Sequence, residues 1–184
     1  MTKPTVGIIG LGAMGAGIAK TLRNNGFTIH VCDVRPGVAD AFVADGGTAH
    51  ATTAALAAVS DVVVSVVVNA AQTESVLFGD DGKGGAASAM RPGSTFVMCS
   101  TVDPNWSVAL EKRLAELGLL YIDAPISGGA ARAASGEMTM MSAGSPAAYA
   151  LAEPLRHAMV AKVYKLGDSA GAIGWWAQIG RAHV

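Results

Sequence analysis

Three glycines near the amino terminus stand at the spacing that a phosphate-binding turn requires. Gly10, Gly12 and Gly15 follow an apolar strand-like run and open a segment of helical character, Ala13–Asn24. The first glycine permits a tight turn, the second leaves room for a pyrophosphate, and the third lets helix and strand pack closely. The helix amino terminus offers unpaired N–H groups and partial positive charge to the anion. The pattern predicts a dinucleotide site at Gly10, Leu11, Gly12, Ala13, Met14 and Gly15, against the alternative of a Gly-rich turn that binds nothing.

An acidic residue follows at the distance where dinucleotide-binding folds place the group that holds the adenosine ribose. Asp33 ends the next strand-like run, about 20 residues beyond the glycines. Its carboxylate can accept hydrogen bonds from both ribose hydroxyls and would repel a 2′-phosphate. Arg35 lies two residues further on and partly offsets that repulsion. We therefore expect NAD to be the cofactor in preference to NADP.

Strand-like and helical segments alternate along the chain that must position these groups. The run Asp61–Val68 is β-branched on both faces, which is typical of a strand buried on both sides. Alternation of this kind predicts βαβ units, hence a Rossmann-like, doubly wound, mostly parallel α/β sheet with helices on both faces. The predicted strands cover residues 6–10, 27–32, 61–68, 95–99, 119–123, 137–143 and 161–166, and the predicted helices cover 13–24, 36–44, 52–59, 72–78, 104–117 and 146–157.

Composition argues against several classes of partner. The formal net charge is -1, so no basic field is present to attract nucleic acid. The longest strongly apolar run, Val62–Val68, is too short to span a bilayer, and we expect a cytoplasmic protein without a membrane partner. Cys32 and Cys99 lie in apolar stretches and are expected to be buried, reduced thiols. No metal-ligand spacing is present among the His, Cys, Asp and Glu residues, so no metal is expected.

A second group of residues has the types that bind a small acid. Ser127, Gly128 and Gly129 combine backbone N–H groups with one hydroxyl, a combination that binds carboxylates. Ser100 and Thr101 follow a predicted strand and so stand at the carboxyl edge of the sheet, where open α/β folds bind ligands. Their hydroxyls can reach a cofactor or a substrate. From the residues alone, an ordinary tight turn at 127–129 is an equal alternative.

These segments together resemble the β-hydroxyacid dehydrogenase family, which includes 3-hydroxyisobutyrate, L-threonate and tartronate-semialdehyde enzymes. The matches run in order over residues 5–170, and the threonate-type members look nearest. The segments that carry the resemblance are the cofactor motif Gly7–Gly15, the loop Ser100–Pro104 beside the nicotinamide, and the substrate loop Asp123–Gly129 followed by Ala133, Gly136 and Met138.

The resemblance implies roles for particular residues. Ser127, Gly128 and Gly129 would hold the carboxylate of a small 3-hydroxy acid, and Thr101 would orient the reacting end and contact the cofactor. Val68 and Asn69 lie where the family's backbone meets the adenosine ribose and pyrophosphate, although many members carry Leu-Pro just before Asn69. The implied function is NAD-dependent oxidation of the hydroxy acid, or the reverse reduction. The full-length protein is expected to be a homo-oligomer.

The carboxyl-terminal segment departs from the resemblance. Gly167–Ala172 matches the start of the segment that precedes the family's catalytic lysine, but Ala177 stands near the position where that lysine is expected. We therefore expect residues 1–172 to form an NAD(P)-binding domain and 173–184 to be an aberrant tail, without the family's helical carboxyl-terminal domain. The 184 residues by themselves are expected to be inactive. The alternatives are a non-catalytic dinucleotide-binding module and a related imine or semialdehyde reductase.

Overall fold

Six short parallel strands form the main part of the sheet. The computed structural model describes residues 3–44, 46–80 and 84–174. The strands are β1 (Val6–Ile9), β2 (Ile29–Cys32), β3 (Thr48–Ala49), β4 (Val62–Ser65), β5 (Thr95–Met98) and β6 (Leu120–Asp123). They lie side by side in the order β3-β2-β1-β4-β5-β6, all parallel. This is the strand order of a doubly wound dinucleotide-binding fold, and it confirms the predicted fold class.

Helices cover both faces of the sheet. Alternate residues of β4 enter different apolar clusters, since Val62 and Val64 pack on one side and Val63 on the other. Helices α1, α2, α6 and α7 pack on the first side, whereas α3, α4, α5 and a short 3-10 helix pack on the second. The helices are α1 (Ala13–Asn24), α2 (Val38–Val43), α3 (Thr53–Ala58), α4 (Ala70–Phe78), α5 (Pro104–Glu116), α6 (Gly129–Ser135) and α7 (Pro146–Met159), with the 3-10 helix at Ala86–Ser88.

Three further strands extend the sheet beyond β6. They are β7 (Ile126–Ser127), β8 (Met138–Gly144) and β9 (Val160–Gly167). Strand β8 runs antiparallel to β6 and β7, and β9 runs parallel to β8. The sheet is therefore mostly parallel, as predicted, with a reversed edge. Within the described ranges, no helix has both the length and the apolar character needed to cross a bilayer.

The sequence prediction missed four short elements, namely β3, β7, α6 and the 3-10 helix at Ala86–Ser88. Strands β3 and β7 have two residues each, too few for an alternating pattern to show. Helix α6 has the sequence GAARAAS, in which only Ala133 is buried. A helix made mostly of Ala and Gly lacks the stripe of large apolar residues from which amphipathic helices are recognised.

Helix α6 is held against α1 by direct backbone contact. A Cβ placed on Gly17 would lie 2.8 Å from the Ala134 nitrogen and 2.9 Å from the Ala133 Cβ, so only glycine fits there. The Thr21 hydroxyl lies 3.0 Å from the carbonyl oxygens of both Ala133 and Ala134 and donates to them. These carbonyls belong to the last turn of α6, where no intrahelical N–H is available. Gly17 and Thr21 thus fix the position of α6, and with it the segment 127–129 that precedes it.

A buried carboxyl group lies at the end of β6, under α5. Asp123 is 5% exposed, and its Oδ2 accepts a hydrogen bond of 2.8 Å from the Ser107 hydroxyl. The Ser107 and Tyr121 oxygens are 2.9 Å apart. Burial raises the pKa of Asp123 to about 6, the Ser107 hydrogen bond opposes that rise, and the charge of Glu111 adds to it. The ionised carboxylate therefore destabilises the folded chain at neutral pH.

We predict that Asp123→Asn is more stable than the wild type at pH 7.5 but equally stable at pH 3.5. The folded-state pKa of Asp123 lies above its ordinary value, so the wild type loses stability as pH rises from about 4 to about 6. Asparagine keeps an acceptor for Ser107 and carries no charge. The gain should reach about 1–2 kcal/mol, less than the two pKa units imply because the new amide donors need partners.

Urea unfolding of both proteins at half-unit pH intervals measures this difference. Glu116→Gln is the matched control, because it removes a carboxylate from an exposed position on α5. Its difference from the wild type should stay nearly constant over the same pH range. A constant difference for Asp123→Asn as well would show that burial of the charge has no energetic consequence.

Candidate functional site

A cleft opens at the carboxyl ends of β1, β2 and β4. Strand β1 pairs with β2 on one side and with β4 on the other. The connections of the first three strands and those of the later strands therefore run across the sheet in opposite directions. Ligands of open α/β sheets bind at such a switch point. The cleft has a volume of about 560 Å³. Its lining includes Gly10, Gly12, Asp33, Val34, Arg35, Thr53, Val66, Val67, Val68, Gln72, Ser75 and Val76.

The glycine loop has the geometry of a phosphate cradle. Gly10 has φ +90, and a Cβ there would lie 2.8 Å from the Val66 carbonyl oxygen. A Cβ on Gly15 would overlap the Gly10 carbonyl oxygen, so α1 could not begin where it does. Gly12 differs, because no atom lies within 4 Å of its Cβ position. Glycine at 12 is therefore not needed for packing. It leaves open the space in front of the amino terminus of α1.

This open space fits a diphosphate. The first N–H groups of α1 have no intrahelical acceptor and carry the positive end of the helix dipole. Leu11 is buried, and its N–H donates 2.7 Å to Asp33 Oδ2, which fixes the turn between Gly10 and Gly12. Ala13 and Met14 form the first turn of α1, where Met14 packs against the core.

Asp33 lies at the end of β2, but Arg35 covers its carboxylate. The Arg35 backbone N–H and Nε each donate 2.9 Å to Oδ1, and Nη2 donates 2.8 Å to Oδ2. The Asp33 side chain is only 4% exposed, whereas that of Arg35 is 57% exposed. Hydrogen bonds from Arg35, and a further one from the Leu11 N–H, lower the pKa of Asp33 to about 2 against the opposing effect of burial. Asp33 is thus ionised, and any ligand that binds its carboxylate must share the carboxylate oxygens with Arg35.

The wall formed by residues 66–69 is braced from below by Ser100. The Ser100 hydroxyl donates 2.7 Å to the Val67 carbonyl and lies 3.4 Å from the Thr73 hydroxyl. Ser100 is only 3% exposed, so its hydroxyl supports the wall and does not reach into the cleft as the sequence suggested. Asn69 caps α4, its Oδ1 accepting from the Gln72 N–H at 2.9 Å. Val68 lines the cleft, whereas Asn69 does not.

The predicted acid-binding residues are exposed at the same edge of the sheet. Ser127 ends β7, Gly128 has φ +144, and Gly129 begins α6. A Cβ on Gly128 would lie 3.1 Å from Cβ and Cδ of Arg132, whose aliphatic stem packs on this glycine. Thr101 follows β5 and is also exposed. Ser127, Gly128 and Gly129 do not line the cleft, and their binding of an acid stays a prediction.

Two valines beside the cleft are exposed, Val34 by 86% and Val68 by 78%. Val68 was predicted from the sequence as a cofactor-binding residue, whereas Val34 was not. The sequence signal that could have identified Val34 is its apolar side chain directly after Asp33, the residue expected to hold the ribose.

Cys32 and Cys99 are free and buried, as predicted. Burial, with a smaller effect of the Asp123 charge, raises the pKa of Cys99 to about 12, so this thiol is not a nucleophile. Ala177 lies outside the described residues.

Comparison with known proteins places this geometry in a family. Residues 5–167 match the family model described as the NAD binding domain of 6-phosphogluconate dehydrogenase. The chain is 54% identical over 167 residues to L-threonate dehydrogenase of Cupriavidus necator, covering 91% of this chain and 55% of that protein. It is 32% identical over 166 residues to the mitochondrial 3-hydroxyisobutyrate dehydrogenase of Mus musculus, covering 90% and 49%. The chain thus spans about half the length of these relatives.

A solved structure agrees with these relationships. The crystal structure of 3-hydroxyisobutyrate dehydrogenase from Salmonella typhimurium superposes with a TM-score of 0.88 at 38% identity, covering 96% of this chain and 60% of that one. The family match covers nearly all of the described sheet, including the glycine loop and Asp33. The chain belongs to the family of NAD-binding domains found in 6-phosphogluconate dehydrogenase and the 3-hydroxyisobutyrate dehydrogenase-like enzymes.

Proposed function

We propose that this chain is the cofactor-binding part of an NAD-dependent dehydrogenase that acts on a small 3-hydroxy acid of the L-threonate or 3-hydroxyisobutyrate type. The observation that carries the proposal is the contact between α1 and α6. It holds the glycine loop and the segment 127–129 in one rigid unit at the carboxyl edge of the sheet. An NAD-binding site and an anion-binding segment in fixed relation are what hydride transfer to or from a carboxylic acid requires.

Each group of residues has a separate task in this proposal. Bound NAD supplies the hydride acceptor, or NADH the hydride donor. The loop 10–15 and the amino terminus of α1 hold the diphosphate, and Asp33 holds the ribose. The N–H groups of Gly128 and Gly129, with the Ser127 hydroxyl, hold the substrate carboxylate, while Thr101 orients the reacting end. The alcohol proton needs a base, and no lysine is among the residues that line the cleft.

In this proposal, Arg35 reduces the preference of the site for NAD over NADP. Because its guanidinium already contacts both oxygens of Asp33, the ribose hydroxyls must share or displace it. The same guanidinium is more exposed than its partner and can turn toward a 2′-phosphate. Asp33 therefore favours NAD, and Arg35 reduces the margin over NADP.

We predict that Gly12→Val abolishes NAD binding while the domain remains folded. The added side chain projects into the open space in front of α1, where no protein atom lies within 4 Å of its Cβ position. Gly12→Ala should weaken binding to a smaller degree. Calorimetric titration gives the affinities and circular dichroism checks the fold. Ala109→Val, at an exposed position on α5, is the control for a β-branched substitution in a helix. Normal affinity in folded Gly12→Val would mean that the loop does not hold the diphosphate.

We predict that NAD binds more tightly than NADP and that Arg35→Ala widens the difference by about tenfold, the scale of one charge-assisted hydrogen bond. Removal of Arg35 frees Asp33 for the ribose and takes away the cation nearest a 2′-phosphate. Arg91→Ala is the matched control, since Arg91 pairs with Asp61 at 2.7 Å at the opposite end of the strands. Titration of the three proteins with both cofactors decides the matter. Tighter binding of NADP by the wild type would refute the role of Asp33.

The activity itself is tested with a chimera. Residues 1–167 joined to the carboxyl-terminal part of the Cupriavidus necator relative should oxidise L-threonate with NAD, because we expect that part to supply a base and further pocket walls. The 184-residue chain alone should show no measurable turnover, since positioned acid–base catalysis contributes about 10²–10⁴-fold. NADH absorbance measures both. Turnover by the chain alone, or a folded chimera that binds NAD yet oxidises neither L-threonate nor 3-hydroxyisobutyrate, would contradict the proposal.

A further inference from the structure

Two histidine side chains join the end of the edge strand β3 to the neighbouring strand β2. His30 lies on β2 and His50 directly follows β3, and His30 Nδ1 lies 2.8 Å from His50 Nε2. The ring centroids are 5.0 Å apart and the rings are tilted by 45°. At this distance one nitrogen donates a proton and the other accepts it with a lone pair. The hydrogen bond therefore requires that at least one of the two rings be neutral.

The histidine pair supplements a short backbone connection between the two strands. Strand β3 has two residues, which pair with His30 and Val31 of β2. The His50 N–H donates 2.8 Å to the Val31 carbonyl oxygen. Because so short an edge strand makes few ladder hydrogen bonds, the bond between the imidazole rings is a substantial part of its attachment.

The segment attached in this way leads directly into the wall of the cofactor cleft. The Thr52 hydroxyl oxygen accepts from the Ala55 N–H at 3.1 Å and caps the amino terminus of α3. Thr53, the first residue of α3, lines the cleft, as does Asp33 at the end of β2. The rings of His30 and His50 do not line the cleft themselves. They act on it by fixing the start of α3 relative to β2.

The surroundings of the pair carry little other charge in the described part of the chain. His30 lies on the same face of β2 as Cys32, which packs with α3. On this face its neighbours in the sheet are Gly7 and Thr48, and α3 has no ionisable side chain. Helices α1 and α2 pack on the opposite face. Burial, with a smaller effect of the Asp33 charge, raises the pKa of the Cys32 thiol, which therefore stays neutral.

Protonation of both rings must break the hydrogen bond. Two imidazolium rings have only donors to offer, and their charges repel each other. Burial, and to a smaller degree the charge of His50, lowers the pKa of His30. The folded chain then binds a proton at this site less readily than the unfolded chain does. The contribution of the pair to stability is therefore present above the ordinary histidine pKa of about 6.5 and is lost as the pH falls below it.

We propose that the His30–His50 pair is a pH-sensitive clasp, which fixes β3 and the start of α3 while one ring is neutral and loosens them when both rings are protonated. Both histidines are positioning residues, because they act on the cleft through Thr52 and Thr53. Acidification should therefore lower the affinity of the cleft for a dinucleotide. This last consequence rests on the proposed binding of NAD, whereas the clasp itself does not.

Two substitutions keep a hydrogen-bonding group in place and remove the titration. The amide of asparagine lies near the position of a histidine Nδ1, and that of glutamine near the position of Nε2. His30→Asn and His50→Gln thus each retain a partner for the other ring, and the double variant retains the bond without any imidazole. Urea unfolding of the four proteins between about pH 8 and about pH 5 measures the difference, over a range centred on the ordinary histidine pKa. Asp123 titrates in all four proteins, so its effect cancels when they are compared.

The wild type should lose stability on acidification relative to the double variant. The relative change in the unfolding equilibrium constant should be about tenfold for each unit by which the pKa of His30 is lowered. His157→Gln is the matched control, because it removes an exposed histidine from α7, on the opposite face of the sheet. Its difference from the wild type should not grow as the pH falls. A loss of stability that is equal in the wild type and the double variant would overturn the clasp.

A histidine NMR titration of the wild type gives a test that needs no variant. His30 should titrate at a lower pH in the folded chain than in the chain unfolded in urea, and equal midpoints would overturn the proposal. Calorimetric titration with NAD over the same pH range then tests the connection to the cleft. The affinity of the wild type should fall several-fold more than that of the double variant, and an equal fall would overturn this connection. Failure of the wild type to bind NAD at any pH would contradict the proposed function, while the unfolding and NMR measurements would still decide whether the clasp exists.

Discussion

The close approach of α1 to the backbone around it is the constraint on which the rest of the structure depends. At Gly15 the helix meets the carbonyl of Gly10, and at Gly17 it meets the backbone of α6, with no space for a Cβ at either position. A side chain at 15 would push the helix away from the turn, and one at 17 would push α6 away from the helix. Two glycines two residues apart therefore set the place of the phosphate loop and of the segment 127–129. Gly12 lies in the same stretch but has open space before it and an ordinary extended backbone conformation, so the fold itself does not require glycine there.

The sequence predicted the elements whose side chains carry a strong periodic signal. Strands such as Val62–Ser65 are continuous β-branched runs, and α1 begins and ends at the predicted residues because its apolar face is regular and Asn25-Gly26 stop it. Helix α6 was not predictable in this way. Its small residues acquire their position from Gly17 and Thr21, more than a hundred residues earlier in the chain, and no local pattern encodes that contact.

The residues of the site divide in the same way, into those that a local sequence pattern predicts and those whose contacts only the folded structure shows. The glycines and Asp33 were predicted because their spacing follows from the βαβ unit that carries them. The state of Asp33 was not predictable, since the sequence placed Arg35 nearby but could not show that its guanidinium would bind both carboxylate oxygens. Ser100 illustrates the opposite error. A hydroxyl at the carboxyl end of a strand is well placed for a ligand, yet here the buried Ser100 hydroxyl donates to the partly buried carbonyl oxygen of Val67.

The distribution of charge along the cleft follows from these placements. At its centre the free N–H groups of α1 supply positive potential without any side-chain cation, and such a potential suits the diphosphate of a dinucleotide. Toward the end of β2 the cleft presents an ion pair, because the carboxylate of Asp33 is held ionised by Arg35. A ribose presents hydrogen-bond donors to such a carboxylate, whereas a 2′-phosphate presents further negative charge. Asp33 thus favours a dinucleotide without that phosphate, and Arg35 is the one cation in the cleft lining that works against this preference.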